Sequence, residues 1–181
     1  MQRTLITLAE LSYHLGLIGI DELHERIEVA FWLADDGNKK PDPRATDSEE
    51  VDEEGSPSAS EIISTINDKP DQKDWIKFLF DGKWVFTKSD PDSYPSVPHG
   101  HLKKPNQSWP KLNPYTGRAY RAKHQEDCSL RLSRLLMKKL WTDQKFRSFC
   151  RDFILWCMEE YPYYKFPVAN PLPFEELNLA S

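Results

Sequence analysis

The sequence predicts an α+β protein: a small antiparallel β-sheet packed by two C-terminal helices, preceded by an N-terminal helical hairpin and an acidic linker. Three observations predict it. Apolar residues recur at three- and four-residue spacing near both ends of the chain. Two aromatic, alternating runs flank Asp81-Gly82 in the middle. Between the first helices and those runs the composition turns sharply acidic and polar. The expected division is 1–34 helical hairpin, 35–73 acidic flexible linker and 74–181 basic α+β domain.

Leu5, Leu8, Leu11 and Leu15 define the first amphipathic helix, which Gly16 to Gly19 ends. Asp21 is expected to cap a second helix whose apolar face is Leu23, Ile27, Ala30, Phe31 and Ala34, with Glu22, Glu25, Arg26 and Glu28 outside it. Two such helices cannot bury their stripes alone, so they must dock on the main domain or on another protein. From Asp35 to Asp71 there are 12 acidic residues against 4 basic ones, the composition of a tether or of a polyanion mimic that covers a basic module. Order returns at Trp75. The runs Trp75 to Phe80 and Lys83 to Lys88 read as strands, and Asp81-Gly82 is the dipeptide of a type I′ hairpin. Pro95 and Pro98 hold the chain extended ahead of His99. Pro110 to Leu112 reads as a short edge strand, Asn113 to Gly117 as a turn and Arg118 to Arg121 as the returning strand. Leu130, Leu132, Leu135, Leu136 and Leu140 belong to a helical region starting at Asp127 or Ser129. Thr142 is expected to cap the next helix, whose stripe of Phe146, Phe149, Cys150, Phe153, Ile154 and Cys157 is core.

The formal charge of -5 conceals an asymmetry. Lys73 to Arg151 holds 17 Lys or Arg against 7 Asp or Glu, a net of +10, so the remainder carries -15. A basic module with acidic flanks points to an anionic partner. Three cysteines without a CxxC or Cys/His cluster read as small buried hydrophobes in a reducing compartment. No apolar stretch approaches the ~20 residues of a membrane span, and no signal peptide is evident. A cytoplasmic protein with no membrane partner is expected.

The chemistry concentrates between Tyr94 and Arg121. Residues two apart in an extended chain point the same way, which places His99 and His101 together, with Gly100 between them expected to let a ligand approach closely. Two histidines beside cations suit metal-independent cleavage of RNA, one taking the 2′-hydroxyl proton and the other protonating the leaving oxygen. Lys104 and Arg118 are candidates for stabilising the phosphorane, and Tyr115 and Thr116 for holding phosphate. Lys103, Trp109, Lys111, Tyr120 and Arg121 would supply phosphate contacts and stacking surfaces, and the helix face of Arg131, Arg134 and Lys138 would extend the track. The same pair could instead bind a metal, with His124, Asp90 and Asp92 available as a third ligand but at no recognisable spacing. It could also simply hydrogen-bond its own Pro-rich loop. Glycine-rich nucleotide loops, HExxH and GxSxG are absent from the sequence. No cofactor is expected.

Pro98-His99-Gly100-His101-Leu102, followed by a strand and a Thr116-Gly117 turn, resembles the Pro-His-Phe-His-Val plus strand-and-Gly pattern of small bacterial proteins found in two-gene, toxin–antitoxin-like loci. The resemblance spans residues 94–120 and implies a bacterial accessory-gene context, toxin or phage defence. The leading expectation is therefore a nucleic-acid-directed module, RNA in preference to DNA, acting as a metal-independent ribonuclease. The alternatives are a non-enzymatic subunit that binds a protein partner through residues 1–34 and the acidic linker, and a metal-binding protein.

Overall fold

The computed structural model describes residues 1–37, 39–45, 77–87, 90, 92–103 and 108–160. Most of the predicted linker and the residues after 160 lie outside these, as does Lys104. The elements are α1 (Gln2–His14), α2 (Ile20–Ala34), β1 (Lys77–Phe80), β2 (Trp84–Thr87), β3 (Gly100–Leu102), β4 (Lys111–Leu112), β5 (Ala119–Ala122), β6 (Gln125–Glu126), a 3₁₀ turn (Cys128–Leu130), α3 (Arg134–Thr142) and α4 (Gln144–Glu160). The strands form one antiparallel sheet in chain order, β1 to β6. The α+β class is therefore as the sequence predicts. Among the described residues no helix is long and apolar enough to cross a membrane.

The β1–β2 turn is built on Asp81 (φ 51°) and Gly82 (φ 61°), the paired positive φ of a type I′ turn, closed by the Lys83 amide donating to the Phe80 carbonyl at 3.1 Å. Alternation along the strands then puts Phe78, Phe80, Trp84 and Phe86 on one face, all buried. That face meets the stripe of α3 and α4. Phe146 packs at 5.0 Å from Phe78, 5.2 Å from Phe86 and 5.2 Å from Trp141, tilted or edge-on to each, the arrangement aromatic quadrupoles prefer. Gly100 lies opposite Phe86 in this layer. A Cβ there would stand 2.9 Å from Phe86 Cζ, so the missing side chain makes room for a core ring and not for a ligand. Gly100→Ala is expected to cost about 1–3 kcal/mol by overpacking, read as a lower urea midpoint with an unchanged slope. The segment Lys111–Leu112 lies inside the sheet, between β3 and β5, instead of at its edge.

The helices depart from expectation in their details. Gly19 precedes α2 and Asp21 sits in its first turn. The buried face of α2 is Arg26, Val29, Ala30, Trp32 and Leu33, while Phe31 is 47% exposed. The rotation has a tertiary cause: the Arg26 guanidinium, 1% exposed, lies 3.8 Å over the Tyr115 ring and is held by Glu22 at 2.6 Å, a cation–π contact inside the protein. Glu25 reaches Arg118 at 2.5 Å, and Glu22 accepts from Asn113 at 3.2 Å. The hairpin is thus docked on the sheet domain. Ser133 caps α3 by accepting the Leu136 amide, so the expected helix from 127 or 129 is a 3₁₀ turn, a break and then α3. Asp143, whose Oδ1 accepts the Lys145 and Phe146 amides at 2.7 and 3.1 Å, takes the capping place expected of Thr142. Thr142 is the last residue of α3 and its hydroxyl donates back to the Lys138 carbonyl at 2.9 Å.

Residues 39–45, expected to be linker, run back over the fold. Arg44 is buried and donates to the carbonyls of Thr116 (3.1 Å) and Leu132 (2.9 Å), with Asp42 holding its other edge at 2.6 Å. Burial pushes the Asp42 carboxyl up, but the Arg44 bonds and charge outweigh it and hold it below the usual carboxylate value. A depressed folded value means stability that is present above the unfolded value of about 3.9 and lost as pH falls through the folded one. Asp42→Asn is accordingly expected to lower the melting temperature at pH 7, with the difference from the native protein shrinking as pH falls through the folded value.

Candidate metal centre

The face of the sheet opposite the aromatic core carries a second row. Val85, His101, Lys111 and Tyr120 are register partners from β2 to β5, so their side chains leave the sheet on the same side. A strap comprising Asp90 and residues 92–99 runs over this row. Asp90 begins it with an Asx turn, its Oδ1 accepting the Asp92 amide at 3.0 Å, which leaves Oδ2 to point at the histidines. Asp92 pairs with Lys111, whose ammonium also meets the Tyr94 carbonyl at 3.4 Å. Tyr94 packs against Trp109, Tyr120 and His124 with centroids 5.9, 5.5 and 5.3 Å away. These contacts fix the strap at both ends of its course.

His99 and His101 do lie side by side, with ring centroids 4.7 Å apart. Both turn Nε2 toward the same atom, Asp90 Oδ2, at 3.2 and 2.6 Å. The ligand atoms of the three residues all lie within 4.8 Å of one another. His99 is 4% exposed, while Asp90 and His101 are each about one-fifth open to solvent. His99 Nδ1 sits 3.1 Å from the Ser96 carbonyl. A carbonyl can only accept, so Nδ1 carries a proton and Nε2 is the ring nitrogen with a lone pair to offer a ligand. That buried nitrogen has no aligned hydrogen bond despite its 3.2 Å approach to Asp90. Partial burial pushes the Asp90 carboxyl up, but the His101 and His99 rings and the Asp92 amide outweigh it and hold it far below the ordinary carboxylate range. The result is a buried imidazole nitrogen without an aligned hydrogen bond, set beside an ionised carboxylate oxygen that a second imidazole also faces, an arrangement suited to a bridging cation.

The other candidates serve different ends. Tyr115 is buried and its hydroxyl donates to the Val97 carbonyl at 2.9 Å; burial pushes that hydroxyl well above its ordinary range. Thr116 is buried, and Arg118 is clamped between Glu25 and Glu126. All three belong to the turn on which α2 docks. On the expected track, Arg131 is paired with Glu126 at 2.8 Å, Arg134 donates to the Trp32 and Asp35 carbonyls at the end of α2, and Lys138 meets Asp36 at 3.2 Å. The N-terminal segment has folded back onto the last two of these cations. Lys111 is buried against Asp92. Trp109 and Tyr120 flank Tyr94, and Lys103 and Arg121 are exposed. Of the three residues the sequence offers as a further ligand, Asp90 joins the histidines, Asp92 is taken by Lys111, and His124 packs on Tyr94.

No family model matches the chain, and neither a curated protein nor a solved structure gives a significant match. Asp90 is nine residues before His99, a separation fixed by a Pro-rich strap and by no local periodicity. The only sequence signal for it was Asp90-Pro91-Asp92, which reads as an Asx turn. The Ser96 carbonyl, which selects the His99 tautomer, had none.

Proposed function

We propose that this is a metal-binding protein whose divalent ion is held by Asp90 Oδ2, His99 Nε2 and His101 Nε2. One observation carries it: a buried imidazole nitrogen with no aligned hydrogen bond, 3.2 Å from a carboxylate oxygen that a second imidazole also faces. A proton shared between His99 and Asp90 calls for an aligned hydrogen bond, whereas an ion set off the N···O line does not. Nitrogen and oxygen ligands at ~2.1 Å from a zinc-sized ion stand ~3 Å or more apart; the His99 separation of 3.2 Å meets this, while the 2.6 Å between His101 and Asp90 is that of a hydrogen bond and has to open by a few tenths of an ångström when the ion enters. The histidine held by a carbonyl through its other nitrogen, and the carboxylate held by an amide, are the supporting contacts that metal ligands ordinarily have.

Three protein ligands leave coordination positions for water or substrate, the pattern of a working site more than of a structural one. A bound ion would supply Lewis-acid polarisation there. The reading departs from the metal-independent ribonuclease expected above. Two histidines that flank a scissile phosphate need their reactive nitrogens apart and free; here both converge on one carboxylate, whose charge repels phosphate unless an ion offsets it.

The test is metal content. Protein purified without a histidine tag, stripped with chelator and dialysed separately against Zn²⁺, Mn²⁺, Fe²⁺, Co²⁺ and Ni²⁺, is expected to retain one equivalent of at least one of them. His99→Ala is expected to retain none while unfolding at a similar denaturant concentration in the stripped form. Equal retention by the two proteins, or none by the native one, overturns the reading.

A further inference from the structure

We propose that the sheet face around the metal centre binds a single-stranded nucleic acid; the proposal builds on the metal-centre reading in taking the Asp90 charge as offset by the ion. Two features of this face are independent of the three ligands. The first is cationic. Lys103 donates its backbone amide to the Lys83 carbonyl at 2.8 Å, which sets these two residues side by side just beyond the paired ends of β2 and β3. Strand alternation gives Lys103 the side of the sheet that His101 takes, and Lys83 the side of Val85, the register partner of His101. Both lysines are exposed, Lys83 with 70% of its side chain. Its acidic neighbour Asp81 is 3.9 Å away, and at that distance, with the lysine side itself open to solvent, the ammonium is available to a stronger anion.

The second feature is aromatic. Trp109 is partly exposed two residues before Lys111, at the same end of the β3–β4 pair as Lys103, next to Lys111 and against Tyr94. The nearby acid Asp92 is already paired with Lys111, so among the described residues neither Asp92 nor, once an ion sits on it, Asp90 opposes an anion there. From β2 to β4 the face spans about 10 Å. Cations, an ion and a ring along one face match a chain in which negative charge and flat π-faces alternate. Phosphates take the lysines and the ion, and a base takes the tryptophan. Bases within a duplex have their faces covered by neighbours, so the match is to an unpaired strand.

The experiment uses the full-length, metal-loaded protein and fluorescence anisotropy. The probes are a labelled mixed-sequence 12-nucleotide RNA, the same sequence as single-stranded DNA, the RNA duplex, and inorganic polyphosphate as competitor. Single strands are expected to bind at least tenfold more tightly than duplex, the RNA and DNA arms showing whether the sugar matters. Lys83→Glu/Lys103→Glu is expected to weaken the single strand at least tenfold and to reduce the salt slope by about 1.4, at ~0.7 per phosphate contact. Trp109→Leu is expected to weaken it about fivefold or more. Metal content is measured on every variant and is expected to stay at one equivalent. Unchanged affinity in both variants with the metal retained overturns the surface alone, and so does polyphosphate competing as well as RNA per phosphate. Lysine- and tryptophan-dependent binding by a protein that takes up no metal supports the surface and overturns the metal centre.

Discussion

Asp90→Asn is expected to remove metal binding while leaving the fold in place. The amide keeps the volume of the carboxylate and an oxygen to accept the Asp92 amide, so the Asx turn survives. It loses the charge, and an amide oxygen or nitrogen facing His99 and His101 is a poor substitute for an anionic ligand. Altering contacts that merely support a ligand costs 10–100-fold in affinity; replacing the one anion of the site should cost more than about 100-fold. The measurement is a thermal shift. At an ion concentration 100 times the native dissociation constant, binding stabilises the native protein by about 2.7 kcal/mol, and the variant should show almost none of that. An equal shift in both proteins would place the ion elsewhere.

Phe146→Ala should cost about 3–5 kcal/mol, the usual toll of deleting a fully buried ring, because this ring joins the sheet (Phe78, Phe86) to α3 (Trp141) and to its own helix through Phe149. Against a total of 5–15 kcal/mol for an ordinary domain, the variant sits near the unfolding threshold. Phe31→Ala is the matched comparison: it deletes a ring from α2 that the sequence placed on the buried face and that is 47% exposed. Its expected cost is within about 0.5 kcal/mol. Urea midpoints of the two variants decide the matter, and comparable losses would mean that α2 is buried on the face its own periodicity suggested.

Local rules carried the sheet further than the helices. Asp81-Gly82 allows the paired positive φ of its turn almost uniquely, and Phe78, Phe80, Trp84 and Phe86 follow from the pleat once the turn is set. Helix faces are less constrained by sequence, since a 100° step lets an arginine and a leucine compete for one position. Arg26 went inside because Tyr115, 89 residues later in the chain, offers a ring face and Glu22 a partner. No window of α2 contains that information. The basic stripe of α3 was legible as charge, but its partners are the Trp32 carbonyl in the last turn of α2 and the Asp35 carbonyl and Asp36 in the segment that composition marked as linker.

The candidate site divides along the same line. The sequence alone determined that His99 and His101 share one side of an extended segment, because alternation is a property of the backbone, and that Asp90 and Asp92 stood near them in the chain. Only the tertiary structure decided which of the two acids would meet the imidazoles. β4 pairs with β3 and delivers Lys111 beside His101, Lys111 takes Asp92, and the Asx turn then swings Asp90 Oδ2 onto both Nε2 atoms. The strap also brings the Ser96 carbonyl to His99 Nδ1, which holds a proton on that nitrogen and leaves Nε2 as the one that faces Asp90. A choice between two equivalent carboxylates, and between two tautomers of one ring, depends on separations of a few tenths of an ångström between atoms far apart in the chain, and only packing sets those.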